Sequence, residues 1–315
     1  MRLLLARPLP ETVENRARAF DTEFRNSNAP MSKAEMKRAL TEFDVVMPTL
    51  GDLFSSEIFD AVPTPRCKLL ANFGVGYNHI DAVAARMAGI DVTNTPGAVT
   101  DATADIAMTL ILMSNRRAGE GERMVRAGNW DGWHPTQMLG QHVTGLTVGI
   151  LGMGRIGQAI ARRCHFGFGM KIRYVARSPK TPDFPAERAS DPVALASSVD
   201  VLVAAVPGGA DTRHLVGDTV FKAMKPSAHF INISRGDVVN EAALVAALEA
   251  GEISGAGLDV YEFEPKVSPA LIQRENVVLL PHLGTAALNV RTDMGMMVMD
   301  NVEAFAAGHL LPNPV

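Results

Sequence analysis

Short apolar runs alternate with stretches of helical period along almost the whole chain. The apolar runs fall at 3–6, 45–47, 68–72, 91–94, 147–151, 171–175, 201–205, 229–233, 255–259 and 277–280. Runs this short and this continuous read as strands buried on both faces. Helix-period segments, such as 155–164 and 240–250, lie between most of them. Repeated strand–helix–strand units predict an α/β protein with parallel sheets. Two stretches break the rhythm. Residues 101–127 are rich in Ala, Met and Leu and helical in pattern, and they lead into a loop, 128–140, that holds both tryptophans, Trp130 and Trp133. This reads as a hinge or arm between domains. Residues 286–308 are again helical, with Met294, Met297, Val298, Val302 and Phe305 forming an apolar face.

Composition narrows the class further. A chain of 315 residues is long enough for two domains. A net charge of −4 without a long basic run argues against nucleic acid as a partner. No apolar stretch is long enough to predict a membrane span. The first residues start like a signal peptide, but Arg7 and Pro8 interrupt them, so a first strand is the better reading. Cys67 and Cys164 make neither a disulfide framework nor a metal site, and no His/Cys/Asp/Glu set has metal-ligand spacing. A reducing, cytoplasmic setting is expected.

The run at 147–151 opens into Gly152-Met-Gly-Arg-Ile-Gly157 and then a helical segment. In a G-x-G-x-x-G turn the first glycine permits the tight bend, the second lets a pyrophosphate approach the backbone, and the third lets helix pack on strand. The helix N-terminus offers N–H groups and a positive dipole end to the phosphates. The pattern alone is weak. A preceding strand, a following helix and a second strand at 171–175 make it a dinucleotide site. The end of that second strand reads the adenosine ribose, where an NAD site usually places an acid on the 2′-OH. Here Ala176 stands in that place, followed by Arg177 and Ser178. A guanidinium binds a 2′-phosphate bidentately, so NADPH is expected as the preferred cofactor, with NAD still possible. The plainer alternative is a solvated surface arginine.

Downstream, Arg235 follows the run at 229–233, Glu264 lies in Leu258-Asp-Val-Tyr-Glu-Phe-Glu-Pro265, and His282 follows the run at 277–280. A fixed cation, a carboxylate and an imidazole can hold an anionic substrate, move a proton and balance its charge.

With these motifs in view, the chain resembles the D-isomer-specific 2-hydroxyacid dehydrogenases nearly from end to end. The resemblance rests on Ala71-Asn-Phe-Gly-Val-Gly-Tyr-Asn-His-Ile-Asp81, Asn94-Thr-Pro-Gly97, the glycine turn, Asn232-Ile-Ser-Arg-Gly-Asp-Val-Val-Asn240, Gly257-Leu-Asp-Val-Tyr-Glu-Phe-Glu-Pro265 and Pro281-His-Leu-Gly-Thr285. Within the family it is most similar to the glyoxylate/hydroxypyruvate reductases. The resemblance implies two doubly wound domains: a flavodoxin-like substrate domain, 1–98 plus 287–315, and an inserted Rossmann cofactor domain, 99–286, with the active site in the cleft. It further implies that Arg235 holds the substrate carboxylate with the backbone N–H groups of Val75 and Gly76. His282 exchanges a proton with the carbonyl oxygen, and Glu264 bonds the far imidazole nitrogen. Met153, Gly154, Arg155 and Ile156 would surround the pyrophosphate, with Gly152 and Gly157 also expected to be cofactor-binding. Arg177 and Ser178 take the ribose end, and Pro207 and Thr212 border the adenosine. Asp259 bonds the nicotinamide carboxamide, with Ile233, His282 and Gly284 nearby. The family's acid immediately precedes proline, which selects Glu264 over Glu262.

Other residues are expected to be structural. These are His79, His134, His142, His165, His214, His229 and His309, with His79 the doubtful one because it lies beside Val75 and Gly76. Asp105 is expected to start a helix. Trp130 and Trp133 either fill a domain interface or, for Trp133, reach a partner's active site as in the reductases. A homodimer paired through 101–140 is expected. The expected reaction is hydride transfer from NADPH to a small 2-keto acid, glyoxylate or hydroxypyruvate. The rival readings are an NAD-linked dehydrogenase for a bulkier D-2-hydroxy acid and a dinucleotide-sensing scaffold of the same fold.

Overall fold

The computed structural model describes residues 1–315 and divides into two compact units, Met1–Val99 with Thr285–Val315, and Thr100–Gly284. In the first unit the chain runs β1 (Arg2–Leu5), α1 (Glu11–Ala17), β2 (Asp21–Phe24), α2 (Lys33–Glu42), β3 (Val45–Met47), α3 (Ser56–Asp60), β4 (Leu69–Ala71), α4 (Ala82–Met87) and β5 (Asp91–Thr93). In the second it runs α5 (Thr100–Asn115), α6 (Ala118–Arg126), β6 (Thr147–Leu151), α7 (Arg155–Phe168), β7 (Lys171–Val175), β8 (Ala186–Arg188), α8 (Pro192–Ala196), β9 (Val201–Ala204), α9 (Asp218–Ala223), β10 (His229–Asn232), α10 (Glu241–Ala250), β11 (Gly255–Leu258), α11 (Pro269–Ile272) and β12 (Val277–Leu279). The last helix, α12 (Leu288–Ala306), returns to the first unit.

Both sheets are parallel throughout. The first has five strands in the order β2-β1-β3-β4-β5, the flavodoxin-like arrangement. The second has seven in the order β12-β11-β10-β9-β6-β7-β8, the doubly wound arrangement whose strand order reverses between β6 and β9. Alternate residues of each strand feed separate cores. Val148 and Ile150, with Val201 and Val203, pack on one face of the larger sheet, while Leu151, Leu202 and Ala204 pack on the other. The smaller sheet is covered in the same way, and α12 closes the face of Leu3, Leu5, Val45, Met47, Leu69 and Ala71 with Val298, Met299 and Val302. Helices on both faces explain the continuous apolar runs in the sequence.

Four features depart from the sequence reading. The strands β2 and β8 were not expected. They are short, polar and at sheet edges, where one flank faces solvent and the apolar signal fades. The segment 101–127 is two helices: Arg117 adopts a left-handed conformation, φ 53°, and its guanidinium grips Glu120 through Nε at 2.8 Å and Nη2 at 2.7 Å. Asp105 stands on the second turn of α5, not at its start, and accepts from Arg163 Nε at 2.9 Å. In α12, Met299 is buried more deeply than Met297. At Gly295 a Cβ would fall 2.4 Å from Val13, so glycine lets α12 lie close on α1.

Candidate active site

The turn after β6 explains its own glycines. Gly152 has φ 97°, and a Cβ there would lie 2.6 Å from the Ala205 carbonyl oxygen. At Gly157 a Cβ would lie 2.0 Å from the Gly152 oxygen, so any side chain would push α7 off the turn. At Gly154 a Cβ would meet nothing within 4 Å. One glycine therefore bends the chain, one seats the helix, and the middle one keeps open the space in front of the α7 N-terminus. That is the fit a dinucleotide pyrophosphate requires, at the switch point of the sheet. Met153 and Ile233 are buried in the core, so they can offer a cofactor little more than main chain. Thr212 Oγ1 donates to the Pro207 oxygen at 2.7 Å and closes that loop on itself. Arg177 and Ser178 are exposed just beyond β7.

Arg235, Glu264 and His282 stand on loops beyond β10, β11 and β12. His282 Nδ1 lies 2.9 Å from Glu264 Oε2, and the other Glu264 oxygen accepts from the Tyr261 N–H at 3.0 Å. A carboxylate on Nδ1 fixes a proton there and leaves Nε2 as the exchanging atom. Burial pushes the Glu264 carboxyl up, but the His282 hydrogen bond and charge, the Tyr261 N–H and the Arg235 charge together hold it below the ordinary carboxylate value. Glu264 is therefore a carboxylate wherever the enzyme is folded near neutrality.

His282 itself has φ 55°, a conformation that non-glycine residues adopt only when their surroundings impose it. Asp259 imposes it. Its carbonyl oxygen accepts from His282 N at 3.0 Å, Oδ1 from Leu283 N at 2.6 Å and Oδ2 from Gly284 N at 2.8 Å. Asp259 is only 2% exposed, and burial raises its carboxyl above the ordinary value. Thr103 Oγ1 adds a bond to the Gly284 oxygen at 3.3 Å. Each carboxylate oxygen of Asp259 keeps a second lone pair for another donor.

Arg235 donates from Nη1 to the Ser234 oxygen at 2.7 Å. Its side chain runs past Gly208, where a Cβ would lie 2.7 Å from Arg235 Cγ. Burial lowers the guanidinium below its ordinary value, while Glu264 and Asp237 pull it back up. It remains charged at neutral pH. The neighbouring Gly236 admits no side chain, since a Cβ would overlap the Tyr261 carbonyl at 1.8 Å. This close approach brings the Arg235 segment against the segment that carries Glu264.

Glu262 has a different task from Glu264. Its Oε1 is 2.6 Å from His214 Nε2, its Oε2 accepts from Glu241 N at 3.1 Å, and its own N–H donates back to Glu241 Oε2 at 3.2 Å. Glu262 therefore pins the loop to the start of α10, and of the two carboxylates Glu264 is the one that meets the His282 imidazole. Among the other histidines, His229 is buried with Nδ1 2.6 Å from Ser114 Oγ, and His79 is buried with Nε2 3.1 Å from Asn72 Oδ1. The sequence pattern passed over Gly208, Tyr261 and the His214–Glu262 pair. Gly208 carries no chemistry of its own, Tyr261 meets Glu264 through a main-chain N–H that no side-chain pattern reports, and His214 and Glu262 lie far apart in the chain.

In the first unit, the loop after β4 has its carbonyls tied down. Asn72 Nδ2 donates to the Gly74 and Gly76 oxygens at 3.0 and 3.1 Å, and Asn94 Nδ2 to the Val75 oxygen at 2.9 Å. The Val75 and Gly76 N–H groups donate to no group of the chain. In the second unit, Trp133 is 79% and Trp130 53% exposed.

Residues 108–284 match the model of the D-isomer specific 2-hydroxyacid dehydrogenase NAD-binding domain. The chain is 39% identical to the glyoxylate reductase of Thermococcus onnurineus, over all of this chain and 95% of that protein. It is 35% identical to the glycerate dehydrogenase of Hyphomicrobium methylovorum, over 98% of this chain and 96% of that one. Among solved structures, the NADPH-dependent glyoxylate/hydroxypyruvate reductase of Sinorhizobium meliloti, in complex with NADP and malonate, superposes with a TM-score of 0.89 at 36% identity, covering 100% of this chain and 96% of that one. With the glycine turn and the imidazole–carboxylate pair in place, the chain belongs to the D-isomer-specific 2-hydroxyacid dehydrogenases, as an NAD(P)-dependent oxidoreductase close to the glyoxylate reductases.

Proposed function

We propose that the enzyme prefers NADPH and reduces small 2-keto acids, glyoxylate and hydroxypyruvate foremost, to the 2-hydroxy acids. The observation that carries the cofactor choice is the end of β7, where Ala176 stands in place of an acid and Arg177 and Ser178 lie exposed. The substrate class is supported by the names of the relatives, glyoxylate reductase and glycerate dehydrogenase.

When bound, the reduced dinucleotide supplies a hydride to C2 of the keto acid. Arg235 holds the substrate carboxylate and polarises the carbonyl. Val75 and Gly76 give their N–H groups to the same carboxylate, which suits a loop whose carbonyls are already bonded. His282 delivers the Nε2 proton to the carbonyl oxygen and recovers it in the oxidative direction, while Glu264 balances the imidazolium charge. Main chain at Met153, Gly154, Arg155 and Ile156 receives the pyrophosphate, with Pro207 and Thr212 on the adenosine side. Asp259 uses its remaining lone pairs for the nicotinamide carboxamide, next to Ile233 and Gly284. Val75 limits the room beside C3, and Trp133 of a partner subunit caps it.

The test is a table of kcat/KM for glyoxylate, hydroxypyruvate, pyruvate and phenylpyruvate with each cofactor. Glyoxylate and hydroxypyruvate with NADPH should lead, and pyruvate should be poor but not inert, because one surplus methyl or methylene discriminates by only about 1–3 kcal/mol. Equal values for NADPH and NADH would overturn the cofactor reading. A higher value for phenylpyruvate than for glyoxylate would overturn the pocket.

A further inference from the structure

Two cations besides Arg177 lie at the turn that follows β7, Lys180 on the turn and Arg188 on β8, and hydrogen bonds hold both against it. Tyr174 is 3% exposed, and its hydroxyl accepts from Lys180 N at 3.0 Å and donates to the Lys180 oxygen at 3.3 Å. This folds Lys180 back toward Ser178, whose Oγ accepts from Nζ at 3.1 Å. From the edge strand β8, Arg188 stands opposite Tyr174 in the parallel ladder and reaches past the end of β7. Its Nη2 donates to the Ala176 oxygen at 2.8 Å and the Arg177 oxygen at 3.5 Å.

The nearby carboxylates are already engaged, Asp183 by Arg162 and Glu187 by Arg173. Arg177, Lys180 and Arg188 form no ion pair with any of them. Three cations thus gather on one short turn with no anion of the chain to neutralise them. In Arg188 two main-chain carbonyls engage one nitrogen and leave Nε and Nη1 for an oxyanion. The turn lies where a dinucleotide presents its ribose 2′ position.

We infer that Lys180 and Arg188 are specificity-determining residues, which with Arg177 and Ser178 form a subsite for a phosphate monoester on the ribose 2′-oxygen. A monoester carries about −1.5 to −2 charges near neutral pH, more than one guanidinium balances. The inference rests on the NADPH reading above and goes beyond it by naming the residues on β8 and at the turn's far end.

The test is calorimetric binding of adenosine 2′,5′-bisphosphate and of AMP to the whole enzyme. Arg188→Ala should weaken the bisphosphate by roughly 10- to 100-fold, the usual worth of a charge-assisted bond, and leave AMP within about twofold. Lys180→Ala should weaken the bisphosphate by up to about fivefold, as befits a partly exposed cation. If Arg188→Ala does not fold, Arg188→Gln keeps an amide donor, removes the charge and should show the same selective loss. If Arg188→Ala or Arg188→Gln weakens both nucleotides equally, or neither, Arg188 serves only to hold the turn and the inference falls. If Arg177→Ala alone abolishes the discrimination, this inference fails while the NADPH reading stands. If the parent enzyme binds both nucleotides alike, the NADPH reading itself fails.

Discussion

At the scale of single residues, the site depends on side chains held by groups that do no chemistry. His282→Ala should lower kcat by roughly 10²–10⁴, the worth of a positioned acid or base, in steady-state assays of keto-acid reduction. Glu264→Gln keeps an acceptor for Tyr261 N but removes the charge beside the imidazole, so kcat should fall while cofactor binding is retained. A stability effect follows from His229. It is buried against Ser114, and burial brings its imidazole from 6.5 down to about 4. The unfolded chain binds a proton at pH values where the folded chain does not. The stability that His229 contributes is therefore complete above about 6.5 and is lost as pH falls toward 4. The loss amounts to about 3 kcal/mol at most, taking about 1.4 kcal/mol per unit. Thermal unfolding of His229→Asn between pH 7 and 4 should show a shallower decline than the parent; an equal slope would contradict it.

At the scale of elements, glycines decide how closely segments approach. Gly208→Ala places a methyl on the stem of Arg235, where a Cβ would lie 2.7 Å from Cγ. The guanidinium must shift, so KM for the keto acid should rise severalfold while the dinucleotide Kd changes little. The buried strands β3 and β6 span the residues that the apolar runs mark, because two covered faces leave no polar alternation to blur them, while β7 spans its run although Lys171 is exposed and Arg173 only half-buried. Edge strands β2 and β8 carry no such run, and β8 supplies Arg188. The break between α5 and α6 was hidden because Arg117 reads as a good helix former, and only its left-handed φ of 53° ends the first helix. Arg235, Glu264 and His282 were legible as candidates because each sits in a short motif after a strand, and the structure pairs the last two. The clasp of Asp259 on Leu283 and Gly284 was not, since it joins a carboxylate to main-chain groups that no side-chain pattern reports.

At the scale of the whole molecule, Val125, Trp130, Trp133 and Leu139 are all more than half exposed on the segment from α6 to the loop beyond it. A homodimer that buries this arm in a large, permanent interface is the expected assembly. Light scattering at micromolar concentration should give twice the 33.7 kDa of one chain. Trp133→Ala should then raise KM for glyoxylate without dissociating the pair.

The return of α12 to the first unit bears on how the chain is made. The second unit is continuous, so it is complete once Gly284 is synthesised, whereas the first needs Val298, Met299 and Val302 to cover Leu3, Leu5, Val45 and Leu69. On a ribosome adding about 5–20 residues per second, the earliest-made strands wait roughly fifteen to sixty seconds with one flank bare. The portion translated first is thus the last to mature. In that interval its apolar flank is the part of the nascent chain most in need of a chaperone.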